Sequence, residues 1–294
     1  MKILLLGANG QLGHELRGPL ATFAEVAPFT RDEVDLADAD AVVRAIDAVR
    51  PDVIVNATAY TDVDRAEREE SAAHRINAEM VGILGDEARR RGAALVHFST
   101  DFVFDGLKGA PYVEEDRPTP LGAYARTKLA GEDLLREHDA PALVLRTAWV
   151  YSLRRKSFVT TMLRLARERE ELQVVTDQIG SPTFSRDLAQ AVALILYGMR
   201  GEHVAARLRE ARGVYHLAGT GSVSRFDWAR AIFELDPRRS EHKVQKVLPI
   251  LADAFPLPAQ RPLATPLDGA KARATFGVEL PGWRDALGRA LLGG

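Results

Sequence analysis

Tyr124 and Lys128 stand four residues apart in the run Tyr124-Ala125-Arg126-Thr127-Lys128. On a helix that spacing puts both side chains on one face. An ammonium beside a phenol favours the tyrosinate and draws it down from its reference value of about 10. Such a phenol can exchange a proton with a carbonyl or alcohol while hydride moves at the adjacent carbon. The same lysine can hold a nicotinamide ribose. By itself the spacing equally describes two surface residues of an amphipathic helix. Ser99-Thr100-Asp101 adds weight, because it closes an apolar run over 94–99. A hydroxyl at the C-terminal end of a strand faces the crevice where open α/β sheets bind ligands. Thr100 is expected to hydrogen-bond a substrate oxygen and hold it against Tyr124. Asp101 equally fits the first residue of a turn.

A second group of residues suits phosphate. Gly7, Gly10 and Gly13 spell G-x-x-G-x-x-G directly after the first apolar run. Glycine lets the chain turn sharply, lets the backbone approach a pyrophosphate and lets the helix pack on the sheet. The helix then offers free N–H groups and a positive dipole end. An acidic residue closing the second strand would bind the ribose 2′-hydroxyl of NADH. Here the run closes on Thr30 and Arg31, and a guanidinium suits a 2′-phosphate. That favours NADPH, while Asp32 leaves NADH open. Asp35 and Leu36 are expected beside the adenine. Asp38 fits either that role or the cap of the next helix.

The elements that must position these groups alternate. Strands are expected at 3–6, 25–29, 52–59, 94–99 and 142–150. Helices are expected at 10–20, 39–49, 72–91 and 121–138. Apolar strands separated by helices imply an α/β doubly wound parallel sheet of the Rossmann kind, covered on both faces. After Tyr151 the pattern changes. Helices fit 158–169, 187–199, 225–235 and 284–292, with strands at 172–176 and 214–218. A Pro-rich stretch, 249–266, reads as an ordered loop. This gives a dinucleotide-binding domain over 1–151, to which later segments return, and a mainly substrate-binding lobe over 152–294. The cleft between them is the expected ligand site.

Composition excludes several classes. The 294 residues carry a formal net charge of only -2, which argues against nucleic acid or an anionic membrane as partner. The absence of cysteine removes disulfides, thiolate metal sites and thiol nucleophiles. The N-terminal apolar run is cut at Gly7, too short for a signal segment or a span, so a cytoplasmic protein is expected.

Further motifs follow in one order: Asn56 through Asp64 with Ala66-Glu67, Ser99 through Gly106, Arg146 through Tyr151, Phe158 with 161–166, and Asp177 through Thr183. With the glycine turn and the Tyr124–Glu132 segment, they resemble the dTDP-4-dehydrorhamnose reductases. That family belongs to the extended short-chain dehydrogenase/reductases, and the resemblance spans nearly the whole chain. It implies reduction of the C4 ketone of dTDP-6-deoxy-L-lyxo-4-hexulose to dTDP-L-rhamnose, with Tyr124 protonating the alkoxide. It also implies a catalytic triad of Thr100, Tyr124 and Lys128. Gly10, Gln11 and Leu12 would line the pyrophosphate, and Ala57, Ala59, Tyr60, Thr61 and Ser99 would border the rest of the cofactor. Thr100, Asp101, Phe104 and Trp149 would contact the sugar. Phe158, Met162 and Gln178 with Pro182-Thr183 would help enclose the nucleotide, although Met162 equally suits plain core, and Arg261 with Pro262 matches the family's late substrate loop. A homodimer and a Mg ion are implied too. Glu15 is a candidate metal ligand by position, though a lone Glu on a first helix is more often solvated.

Two departures bear on substrate contacts. Ala125 follows Tyr124 where glycine is common, and Leu263-Ala264-Thr265 replaces more polar residues after Arg261-Pro262. A 4,6-dehydratase would place Asp-Glu after the strand-end Thr, but Phe102 follows Asp101 here. Another nucleotide-sugar ketoreductase or epimerase stays open. So does a noncatalytic NADP-binding regulatory subunit like the one that binds methionine adenosyltransferase, although the retained triad favours an enzyme.

Overall fold

The structure is a computed structural model that describes residues 1–201 and 204–293. Its first part runs β1 (Lys2–Leu6), α1 (Gln11–Ala21), β2 (Glu25–Phe29), α2 (Ala39–Val49), β3 (Val53–Asn56), α3 (Val63–Ala66), α4 (Glu70–His74), α5 (Met80–Arg91), β4 (Ala94–Thr100), α6 (Ala123–Glu137) and β5 (Ala142–Thr147). Then come β6 (Val150–Tyr151), α7 (Phe158–Glu168), β7 (Glu171–Val175), β8 (Ile179–Gly180), β9 (Thr183–Phe184), α8 (Ser185–Gly198), α9 (Val204–Glu210) and β10 (Gly213–His216). The chain ends with β11 (Val223–Ser224), α10 (Arg225–Leu235), β12 (Lys246–Ile250), α11 (Ala270–Phe276) and α12 (Trp283–Gly293).

Six strands form one parallel sheet in the order β10-β5-β4-β3-β1-β2. Side chains alternate across it. Ile3 and Leu5 enter one core with Leu16 and Leu20 of α1 and Leu188 and Val192 of α8. Leu4 and Leu6 enter the other with Val42 and Ile46 of α2 and Leu84 of α5. Apolar residues at every strand position are therefore what a sheet buried on both faces demands. A third core gathers Tyr151, Val159, Trp228 and Leu287 in the second lobe. Two segments beyond Tyr151 serve the first part: α8 covers α1, and β10 extends the sheet past β5.

Three expected elements differ. The helix over 72–91 is interrupted by a π turn, Arg75–Glu79. Its cause is Asn77, whose amide bonds both Tyr60 backbone groups (N–H to Oδ1 2.9 Å, Nδ2 to C=O 3.1 Å) and the Thr127 hydroxyl (3.1 Å). Gly131 permits the contact, since a Cβ there would lie 2.2 Å from the Asn77 carbonyl. A π turn at such a junction is a site-building device. The strand over 142–150 ends at Thr147, because Trp149 adopts a left-handed backbone (φ 44°) that redirects the chain into β6, paired with β9. The strand over 52–59 ends at Asn56, whose Oδ1 accepts from the Thr58 N–H (3.1 Å) and hydroxyl (2.5 Å). The Pro-rich stretch begins inside β12, which pairs with β7. Helices α9 and α11 were not expected.

Candidate active site

A cleft of about 720 Å³ opens at the C-terminal ends of β1, β3, β4 and β5. Gly7, Gly10, Gln11 and Leu12 line one end of it, with Arg31, Asp35 and Leu36 beside them. Ala57, Ala59, Thr61, Ser99, Thr100, Asp101, Tyr124, Lys128 and Trp149 line the remainder. Gly7 adopts φ 79°, a left-handed conformation that suits glycine. A Cβ on Gly13 would sit 2.0 Å from the Gly7 carbonyl oxygen, so Gly13 serves the close packing of α1 rather than the cleft wall. Gly10 caps α1 without a side chain, which leaves its first N–H groups without a side-chain acceptor. This cradle fits a dinucleotide. Gln11 reaches across to the second lobe, its Oε1 accepting from the Ser152 N–H (3.0 Å) and hydroxyl (3.1 Å).

At the adenosine end the picture is mixed. Arg31 is 76% exposed and 3.9 Å from Asp35, so it is free to swing toward an anion. Thr30 is engaged at the surface, its N–H and hydroxyl both donating to Glu33 at 2.8 Å. Asp35 accepts from the Ala37 N–H (3.0 Å), and Asp38 caps α2 through the Ala41 N–H (3.0 Å).

At the catalytic end, burial governs the titrations. Tyr124 is pushed up to about 12 by burial; hydrogen bonding with Thr100 opposes this and the Asp101 carboxylate adds to it. The expected lowering by Lys128 is not what the structure shows, and this is a correction. The Lys128 amine is turned to the Phe98 carbonyl (2.7 Å) and to His97 Nε2 (3.0 Å). Burial lowers Lys128 to about 8, against the pull of Glu132. A phenol that stays protonated suits a proton donor. Asp101 is raised to about 6 by burial, opposed by the Thr265 hydroxyl (2.6 Å) and the charge of Arg225. Beneath the site, Glu132 bonds Ser99 and clasps Arg146 (Nη2 to Oε2 2.6 Å), and the pair is almost fully buried.

Several expected residues lie elsewhere. Phe104 is fully buried, stacked on Tyr112 at 4.1 Å with Arg146 over its ring, and is core rather than a sugar contact. The Tyr60 phenol points to Glu69 (2.8 Å). Arg261 is committed to Asp64, 2.8 and 3.1 Å away, and straps the Pro-rich loop to α3. Phe158 stacks on Trp228 at 4.8 Å, one layer behind Trp149. Gln178 meets Arg225 through its backbone, its carbonyl accepting the Arg225 N–H at 2.9 Å.

Other residues were missed. Arg225 lies over the Trp149 ring at 3.5 Å, where it acts on Asp101. A lone arginine opening a helix carries no sequence signal. Arg155 and Lys156 line the cleft, and their basic run was the available clue. His97 and Asn56, both fully buried, connect to Lys128.

Among the described residues no group of three or more His, Asp or Glu gathers, and Glu15 pairs with Arg186 at 3.3 Å.

Residues 1–292 match the family model described as the RmlD substrate binding domain. The dTDP-4-dehydrorhamnose reductase of Burkholderia thailandensis is 43% identical, over 98% of this chain and 97% of its own length. The chain belongs to the dTDP-4-dehydrorhamnose reductase family. Solved structures of the family agree with this membership. One from Clostridium acetobutylicum superposes with a TM-score of 0.89 at 34% identity, covering 99% of this chain and 98% of that one. One from Bacillus anthracis, in complex with NADP, gives 0.87 at 34% identity over the same shares. The fold is accordingly the Rossmann sheet of the short-chain dehydrogenase/reductases. No described helix is long and apolar enough to cross a membrane.

Proposed function

We propose that the chain reduces the C4 ketone of dTDP-4-dehydro-6-deoxy-L-mannose to dTDP-L-rhamnose, with NADPH as reductant. The observation that carries this reading is the Tyr124 phenol, held protonated beside Thr100 in a glycine-floored cleft, in a chain that aligns with 97% of the length of a reductase so named. The reduced nicotinamide supplies hydride when bound. Thr100 and Tyr124 orient the substrate oxygen, and Tyr124 gives its proton to the alkoxide oxygen as it forms. Lys128 stands below to bind ribose hydroxyls and to steady the tyrosinate left behind. Gly10 and the α1 N-terminus receive the pyrophosphate. Arg31, whose nearest carboxylate among the described residues is that of Asp35 at 3.9 Å, favours the 2′-phosphate of NADPH over NADH.

The test is loss of the NADPH absorbance on adding the dTDP-keto sugar, within a panel of nucleotide keto sugars and both reduced cofactors. Turnover confined to another nucleotide sugar, or tight NADPH binding with no turnover on any, would overturn it. The homodimer and the cytoplasmic location belong to the same reading. Sedimentation of the purified chain tests the first, and fractionation of the source cells tests the second.

A further inference from the structure

The buried row Asn56, His97 and Lys128 has only one consistent assignment of protons. Asn56 Oδ1 accepts from the Thr58 N–H, a donor that cannot change role, so its Nδ2 group must face His97 Nδ1 at 3.1 Å. An NH2 group only donates, which makes Nδ1 the acceptor. In a neutral imidazole the proton then sits on Nε2, pointing at Lys128 Nζ 3.0 Å away. An ammonium has no lone pair to receive it. An uncharged amine does: it accepts from His97, donates one N–H to the Phe98 carbonyl at 2.7 Å and keeps one N–H for the cleft.

We propose that His97 is a positioning residue whose fixed Nε2–H tautomer favours the uncharged amine of Lys128 over the ammonium in the ligand-free protein. Charging Lys128 would set two donors against each other. Moving the imidazole proton to Nδ1 only transfers that conflict to Asn56, in a site where all three side chains are at most 1% exposed. An unmatched buried donor is costly. Burial acts the same way, holding Lys128 at about 8 and His97 well below its ordinary value. Of the other titratable groups near the amine, Tyr124 shares its helix face and stays protonated, and two carboxylates are already engaged. Glu132, further along α6, is held by Arg146 from β5 and by Ser99. Asp101, beside Tyr124, is held by Thr265. The cleft thus disfavours a bare buried cation, and a ligand rich in phosphate and hydroxyl acceptors restores the preference for the ammonium.

The assignment is tested in the full chain by nitrogen NMR of the histidine rings and carbon NMR of the lysine Cε groups across pH, with Lys128→Met identifying the Lys128 signal. The expected result is His97 protonated at Nε2 alone, with Lys128 losing charge at or below about 8 and below the other lysines. In His97→Phe the Lys128 midpoint rises by about one pH unit or more. The basic limb of kcat/KM for ketone reduction, an arm that rests on the proposed function, rises with it. A proton on Nδ1 overturns the proposal whatever the variant does. So does a Lys128 midpoint that is ordinary, or that is unchanged in the variant. A kinetic limb that stays fixed while the amine midpoint moves removes His97 from catalysis. A chain without reductase activity leaves the NMR measurements decisive, so failure of the function and failure of the tautomer are separable.

Discussion

Single side chains decide the chemistry, and their environments set its direction. Tyr124 is raised to about 12, so it is protonated at neutral pH, as the acid proposed for ketone reduction must be. Tyr124→Phe should retain NADPH binding, read by fluorescence titration, and lose turnover by roughly 10²-fold or more. Asp101 lies the other way from most carboxylates, raised to about 6 by burial. Its neutral form is the one that folding favours. Its contribution is therefore fully present below pH 4 and is lost as pH rises through about 6. Asp101→Asn should stabilise the ligand-free chain at pH 7 by roughly 2–3 kcal/mol and flatten the stability profile between pH 4 and 6, measured by urea unfolding. The same variant should weaken substrate use, because Asp101 lines the cleft. Arg31→Ala should raise Kd for NADPH more than for NADH, since only the former carries the 2′-phosphate; equal losses would remove Arg31 from that role. Residue types and spacing made Tyr124, Lys128 and Thr100 legible in the sequence. They could not say where side chains point. Phe104 and Arg261 have chemistry suited to a sugar or an anion, yet one is spent on core stacking and the other on Asp64.

At the scale of elements, glycine-enabled contacts set the geometry. The glycine turn was legible because its requirement is local: a reversed φ at Gly7 and no room for a Cβ on Gly13. Gly13→Ala would press a methyl onto a backbone oxygen at 2.0 Å, and the α1–β1 junction must open to receive it. NADPH affinity should fall at least tenfold in a fluorescence titration even where the chain remains folded. The π turn was not legible, because 72–91 has unbroken helical periodicity and its interruption comes from Asn77 meeting Tyr60 and α6. Two-residue strands such as β6, β8 and β9 are too short to show any period. Helix α6 is joined under the site to β5 by the Glu132–Arg146 pair and to β4 by Ser99. Glu132→Gln would leave a nearly buried guanidinium without its counter-charge, at a cost of about 3 kcal/mol in urea unfolding.

Across the whole molecule, the second lobe is not an appendage. Helix α8 closes the core over α1, β10 pairs with β5, and Arg261 straps the Pro-rich loop to Asp64. The division near Tyr151 marks a change of sequence pattern, whereas the packing crosses it. The alternation of apolar runs and helices foretold the sheet, but strand order depends on contacts between residues far apart, which periodicity does not encode. That order has a consequence for synthesis. While a ribosome is still making the chain, β5 emerges well before β10, so its outer backbone groups stay uncovered through the whole interval. A half-made chain should therefore stick to its neighbours or to a chaperone until His216 has cleared the exit tunnel, and only then become independent of help.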